Sequence, residues 1–145
     1  MKALLTATAL AVALLGLPGT ARAVADPGTG AVNPVTLAPP FVEHTEWTQS
    51  KGLISLRVFP TPAARMAARQ PGSAASADEA WAEVLALSPD ADTAGMRAQF
   101  SCHWQFAELA QPGKTSWNLE PWRPVVDDAD MFASGCNPGG SAEAF

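Results

Sequence analysis

Apolar positions along this chain change their spacing several times, and each change marks an element. Ala3 to Leu17 is apolar except at Thr6, Thr8 and Gly16, and Leu17-Pro18-Gly19 closes that run. Asp26 to Pro40 sustains no period and is rich in Pro, Gly and Thr, which predicts an extended arm over 24–40 without helix or sheet of its own. A globular domain is expected over 41–138, followed by a mobile tail over 139–145. Glu43-His44-Thr45-Glu46-Trp47 fits a short strand and a loop equally. Leu53 to Phe59 is the clearest strand: Gly52 opens it, Pro60 stops it, and its residues are mostly large, apolar or β-branched. Ile54, Leu56 and Val58 share one face and Leu53, Ser55, Arg57 and Phe59 the other, a mixed face that suits an edge or half-covered strand.

Beyond Pro60-Thr61-Pro62 the period lengthens. Ala63 to Ala68 predicts a helical turn carrying Arg65 and Arg69, interrupted by Pro71-Gly72-Ser73. Ser76-Ala77-Asp78-Glu79 reads as a capping box, a hydroxyl and a carboxylate each able to satisfy a free backbone N–H. The helix it starts should run to Leu87, where Ser88-Pro89 ends it. Trp81, Val84, Leu85 and Ser88 form its stripe, which makes Trp81 a core residue first. From Met96 to Phe106 apolar and polar residues alternate strictly, the period of a strand. The unbroken length from Ala94 to Ala110 is that of a helix, since strands average roughly five to six residues. Both remain open, with helix favoured: Thr93 would cap it, Gln111-Pro112-Gly113 would stop it, and Met96, Phe100 and Trp104 would fall in one row, Cys102, Phe106 and Leu109 in another.

Charge and cysteines change the picture. Lys2 before the apolar run, and Ala21-Arg22-Ala23 after it, predict a signal peptide over 1–23, cleaved after Ala23 or after Ala25. The apolar run is shorter than the roughly 20 residues of a membrane span, so no stable membrane insertion is expected after cleavage. Without Lys2 and Arg22, seven Lys and Arg face fourteen acids, a net charge of −7. Such a chain, with no basic cluster, is unsuited to nucleic acid. About 120 residues then remain, enough for one core. In an exported chain the even pair Cys102 and Cys136 defaults to a disulfide, worth roughly 3–4 kcal/mol by loop entropy. The competing reading, a Cys102 nucleophile with His103 as base, suffers because adjacent helical residues point about 100° apart.

Lys114 to Pro124 concentrates two of the five tryptophans, two prolines, an acid and two bases. Pro121 and Pro124 fix their own φ and bias Glu120 and Arg123 toward extended backbone. If Ser116 to Leu119 is a strand, Trp117 and Leu119 face one way and Asn118 and Glu120 the other. A stiff segment bearing Trp117, Asn118, Glu120, Trp122 and Arg123 has the chemistry of a recognition hot spot. The plainer alternative is that both tryptophans fill the core and Glu120 pairs with an arginine. His103, Glu120 and Arg123 form the best acid–base set for a hydrolase, but there is no nucleophile elbow and no phosphate loop. The two histidines, His44 and His103, are 59 positions apart, so no metal site and no cofactor are expected. His44 reads as a solvated histidine in an acidic loop. Asp127, Asp128 and Asp130 lack the ligand spacing of a calcium loop and read as an acidic turn.

Gln99-Phe100-Ser101-Cys102-His103, Phe106-Ala107, Lys114, Trp117-Asn118-Leu119-Glu120-Pro121-Trp122-Arg123-Pro124 and Cys136-Asn137-Pro138 together resemble a secreted actinobacterial family, domain of unknown function twenty-five ninety-nine. Ser55-Leu56-Arg57-Val58, Pro60-Thr61, Arg65 and Trp81-Ala82-Glu83-Val84 extend the resemblance to roughly Trp47 to Gly139. It implies an exported compact domain and groups Cys102-His103 with Trp117 to Pro124, but carries no reaction, ligand or catalytic residue.

The expected fold is a small α+β domain, a short antiparallel sheet packed on two helices with one disulfide. The expected function is binding of an extracellular protein or cell-envelope component through Trp117, Asn118, Glu120, Trp122 and Arg123. A small secreted hydrolase using His103 and Glu120, and a protease-inhibitor-like protein, are the alternatives.

Overall fold

The computed structural model describes residues 37–140. The leader expected over 1–23, most of the arm over 24–40, and the tail beyond 140 lie outside them. The domain opens with a hairpin, β1 (Val42–Ser50) and β2 (Leu53–Pro60). Lys51 at φ 50° and Gly52 at φ 82° make its two-residue turn, the pair of positive φ values whose twist matches that of antiparallel strands. The segment around His44 is therefore strand: His44 lies opposite Phe59, and Trp47 opposite Leu56. A short third strand, β3 (Trp117–Leu119), pairs antiparallel with β2 on its other side, so β2 is the centre of the sheet and not an edge. The half-covered reading of β2 holds, since Leu56 and Val58 are fully buried while Ser55, Arg57 and Phe59 are partly exposed.

Four α-helices, α1 (Pro62–Ala68), α2 (Ala74–Leu87), α3 (Ala94–Ala110) and α4 (Asp128–Ala133), and a single 3-10 turn at Pro89–Ala91 complete the described residues. Thr61 caps α1, accepting from Ala64 N–H, with Pro62 at the first position, where its missing N–H costs nothing. The capping box expected at Ser76 is absent. Helix α2 begins three residues earlier, at Ala74 with Ser73 before it, so Ser76 lies within its first turn. Residues 94–110 are helical, with Thr93 as the expected cap, accepting from Met96 N–H. Length outweighed alternation there. Leu109, expected in an apolar row, is 72% exposed at the helix end.

The core lies between one sheet face and the helices. Trp81 of α2 and Phe100 of α3 sit with ring centroids 5.3 Å apart, and Trp117 of β3 meets Phe100 and Trp104 at 6.0 Å each. Glu83 of α2 accepts from the N–H groups of Phe41 and Val42 at 2.8 and 2.7 Å, fixing where the chain enters the sheet. The Cys102–Cys136 disulfide, with Cα atoms 5.5 Å apart, ties α3 to the segment after α4. Bonds from Gly135 N–H to Phe132 O and from Cys136 N–H to Met131 O close the end of α4 and set Cys136 in place. Asp127 caps α4, accepting from Asp130 N–H, and Asp128 and Asp130 occupy its first turn, where a helix favours negative charge. This accounts for the acidic run.

Candidate functional site: the open face of the sheet

The strand period of two divides the β3 segment. Trp117 and Leu119 point into the core at 1% and 0% exposure, while Asn118 and Glu120 turn to the other side. There they join Ser55 and Arg57 of β2, and Arg57 lies opposite both Glu46 and Asn118. The result is a groove of about 510 Å³ across this face, lined by residues that include Thr48, Ser55, Arg57, Lys114, Asn118 and Trp122. Glu120, 8% exposed, also contributes to its lining.

Buried contacts hold that lining in place. Gln99 of α3, fully buried, donates its amide to Glu120 O and accepts from Glu120 N–H, both at 2.9 Å, doing for the chain what another strand would do. The Glu120 carboxylate accepts from Arg123 Nε at 2.6 Å and from Ser55 Oγ at 3.1 Å. Arg123 N–H bonds back to Glu120 O, making a turn with Pro121 at its second position. The Arg123 side chain has no exposed surface and donates through Nη1 to the carbonyls of Asn137, Pro138 and Gly140 at 3.1, 3.0 and 3.3 Å. The first residues of the expected tail are thus clasped. Gly139 is needed there, since a Cβ at that position would lie 2.7 Å from Pro124 Cδ, at a φ of 92°. Trp122 is half-buried, donates its indole N–H to Ile54 O at 3.0 Å, and has the Arg123 guanidinium 4.5 Å from its ring centroid. Arg57 donates to Ser116 Oγ at 3.3 Å and lies 3.5 Å from Glu46.

The structure brings the expected residues together but divides their roles. Trp117 is core, so it offers no surface; the plainer alternative holds for it and for the Glu120–Arg123 pair, but not for half-buried Trp122. Arg123, 4% exposed, supports the site from below. His103 is fully buried, with Nδ1 2.9 Å from Gln99 O and Nε2 without a hydrogen-bond partner. Burial, aided by the nearby positive charges of Lys114 and Arg123 and opposed by the Gln99 bond, brings its pKa down to about 4. It is therefore neutral near pH 7 and closed to solvent. Cys102 is consumed in the disulfide. His44 stacks on Phe59, ring centroids 4.0 Å apart.

Sequence reasoning missed three supports. Gln99 stood only within a family signature and Lys114 only there and as the first residue of the tryptophan-rich segment, and nothing local marks Gln99 as the partner of a residue 21 positions on. Glu108 was not singled out. It is buried on α3 and takes ion pairs from Arg65 of α1 and from Arg69, which caps the end of α1. Burial acts to raise its pKa, but bonds from Arg65, Gly113 N–H and Arg69 outweigh this and hold it below the ordinary value. Arg65 also donates to Lys114 O, so this cluster fixes the loop entering β3. Burial lowers the pKa of half-buried Lys114, against the attraction of Glu120. Among the described residues, no group of three or more His, Cys, Asp or Glu could hold a metal ion, and no helix is long and apolar enough to cross a membrane.

Comparison with known proteins gives relatives of the same kind. An uncharacterized protein of Mycobacterium tuberculosis is 62% identical over 150 residues, covering 100% of both chains, and one of Mycobacterium bovis matches equally. An uncharacterized protein of Mycobacterium leprae is 62% identical over 100 residues, covering 69% of this chain and 80% of its own. No solved structure matches. Residues 42–139 match the family model described as Protein of unknown function (DUF2599), a span that takes in the sheet, all four helices and the disulfide, and the chain belongs to that family.

Proposed function

We propose that this protein is exported and acts outside the cytoplasm as a binding module, taking a cell-envelope component in the groove on the open face of its sheet. Export is supported by the leader pattern of residues 1–23 and by the disulfide, a bond that persists in oxidising compartments. Binding is supported above all by one observation: the groove side chains are held by a fully hydrogen-bonded, buried scaffold of Gln99, Glu120 and Arg123. A pre-set polar surface beside a half-buried tryptophan binds with little ordering cost. The hydrolase alternative is less well supported, because its base, His103, has no access to the groove solvent and Glu120 is already engaged by Arg123 and Ser55.

Co-sedimentation of the purified chain with mycobacterial cell-wall material tests this. Trp122→Ala should weaken retention by roughly tenfold or more, the scale of a hot-spot truncation, while His103→Gln leaves it unchanged. Retention unaffected by Trp122→Ala, or turnover of a wall component lost in His103→Gln, would overturn the reading.

A further inference from the structure

The groove gathers cations from a protein that is acidic overall. Its charged lining consists of Lys51, Arg57, Lys114 and Glu120, against a formal charge of −5 for the chain. The one carboxylate there is paired with Arg123 from beneath, at 2.6 Å, and also attracts Lys114, so the cations still outnumber it. Three of the other cations of the described domain, Arg65, Arg69 and Arg97, are engaged elsewhere, with Glu108 and Asp78. Arg57 lies near Glu46 at 3.5 Å on the surface, an exposed pairing of small strength that a ligand can displace. Both lysines of the domain line the groove, one at the hairpin turn and one at the entrance to β3. Lys114 is partly desolvated there, its position set by the bond from Arg65 to its carbonyl.

We propose that the groove binds a small anionic ligand, a carboxylate or phosphate carried on a body with an apolar face, with Arg57 and Lys114 holding the oxyanion and Trp122 lying against the body. This deepens the binding reading above and rests on it. A guanidinium supplies two parallel donors to an oxyanion, and a partly desolvated ammonium gains more from an anion than one in bulk water does. Ser55, Asn118 and Asn137 line the same groove and supply neutral donors and acceptors for hydroxyl groups. A volume of about 510 Å³ suits one or two sugar-sized units. Net positive charge in a cleft of an acidic protein also selects against neutral and cationic competitors.

Tryptophan fluorescence of the oxidised chain, titrated with glucose 1-phosphate, glucuronate, inorganic phosphate and neutral cellobiose, reads this directly. Glucose 1-phosphate or glucuronate should bind more tightly than cellobiose by tenfold or more, and added salt should weaken the binding. The better of the two identifies the oxyanion as phosphate or carboxylate. Lys114→Gln and Arg57→Gln should each weaken it by roughly tenfold, the loss expected for one charge-assisted bond. Inorganic phosphate should bind more weakly than glucose 1-phosphate, because it lacks the body that meets Trp122. Equal binding of cellobiose, or no response to any anionic probe, overturns the proposal. Wall retention that survives Lys114→Gln and Arg57→Gln but is lost in Trp122→Ala overturns the anionic ligand and leaves the binding module standing.

Discussion

Behind β2 and β3 the side chains of Leu56, Val58, Trp117 and Leu119 are at most 1% exposed, whereas in front of the same strands Ser55, Arg57 and Asn118 remain polar and partly open to solvent. One backbone serves both sides because strand side chains alternate. The rear is stabilised by apolar burial and by aromatic rings meeting at 5.3 to 6.0 Å. The front depends on the rear for its geometry: Gln99 reaches through from α3 to hold Glu120, and Arg123, with no exposed surface, joins that carboxylate to the segment following the disulfide. Changes behind the sheet should therefore act chiefly on stability, while changes in front should act chiefly on binding.

The largest effects are expected behind the sheet. Trp117→Ala should destabilise by about 3–5 kcal/mol, the cost of an aromatic cavity, and Asn118→Ala, its neighbour on the open face, by under about 1 kcal/mol. Denaturant unfolding of the two variants measures both, and equal losses would break the division. Arg123→Ala should cost about 3–5 kcal/mol, because the removed partner leaves Glu120 charged and mostly buried; accelerated amide exchange at Asn137 to Gly140 would show the clasp released.

Acid should act next most strongly, through His103. Its folded pKa near 4 lies below the unfolded value of 6.5, so the native state resists taking up a proton that the unfolded chain accepts. Its contribution is intact above pH 6.5 and is lost as pH falls toward 4, on the order of 3 kcal/mol in all. His103→Gln should flatten the stability–pH curve over that window. Glu108 has its pKa lowered and adds a loss of its own in more acidic solution, so the comparison with the variant is what isolates the histidine. A smaller effect is expected at Trp122→Ala, roughly 1–2 kcal/mol of stability for one partly exposed hydrogen bond and a cation contact.

Legibility of the sequence followed the same division. Helix α2 was readable because Trp81, Val84 and Leu85 keep helical spacing, although its start was misplaced, the helix beginning just after Ser73 and upstream of Ser76. Helix α3 satisfied two periods at once, and only its unbroken length distinguished them. The strand at Glu43 to Trp47 gave no signal because β1 is an edge strand whose residues are largely exposed on both faces. The two-residue turn at Lys51-Gly52 went unread for the same reason. The cysteine pairing was visible in the even count of cysteines. The opposed fates of Trp117 and Trp122 were not, since Pro121 ends the strand between them and only the hairpin shows where Trp122 comes to rest. Gln99 and Lys114 act through contacts with distant residues, which no local pattern records.

Hydrogen exchange of the purified chain, with and without saturating cell-wall extract, tests most directly whether the open face is the one used. Protection should appear at Thr48 to Ser55 and at Lys114 to Trp122, leaving Ala74 to Leu87 of α2 unchanged. Protection confined to α2, or none at all under conditions where the chain is retained by the wall, would contradict it.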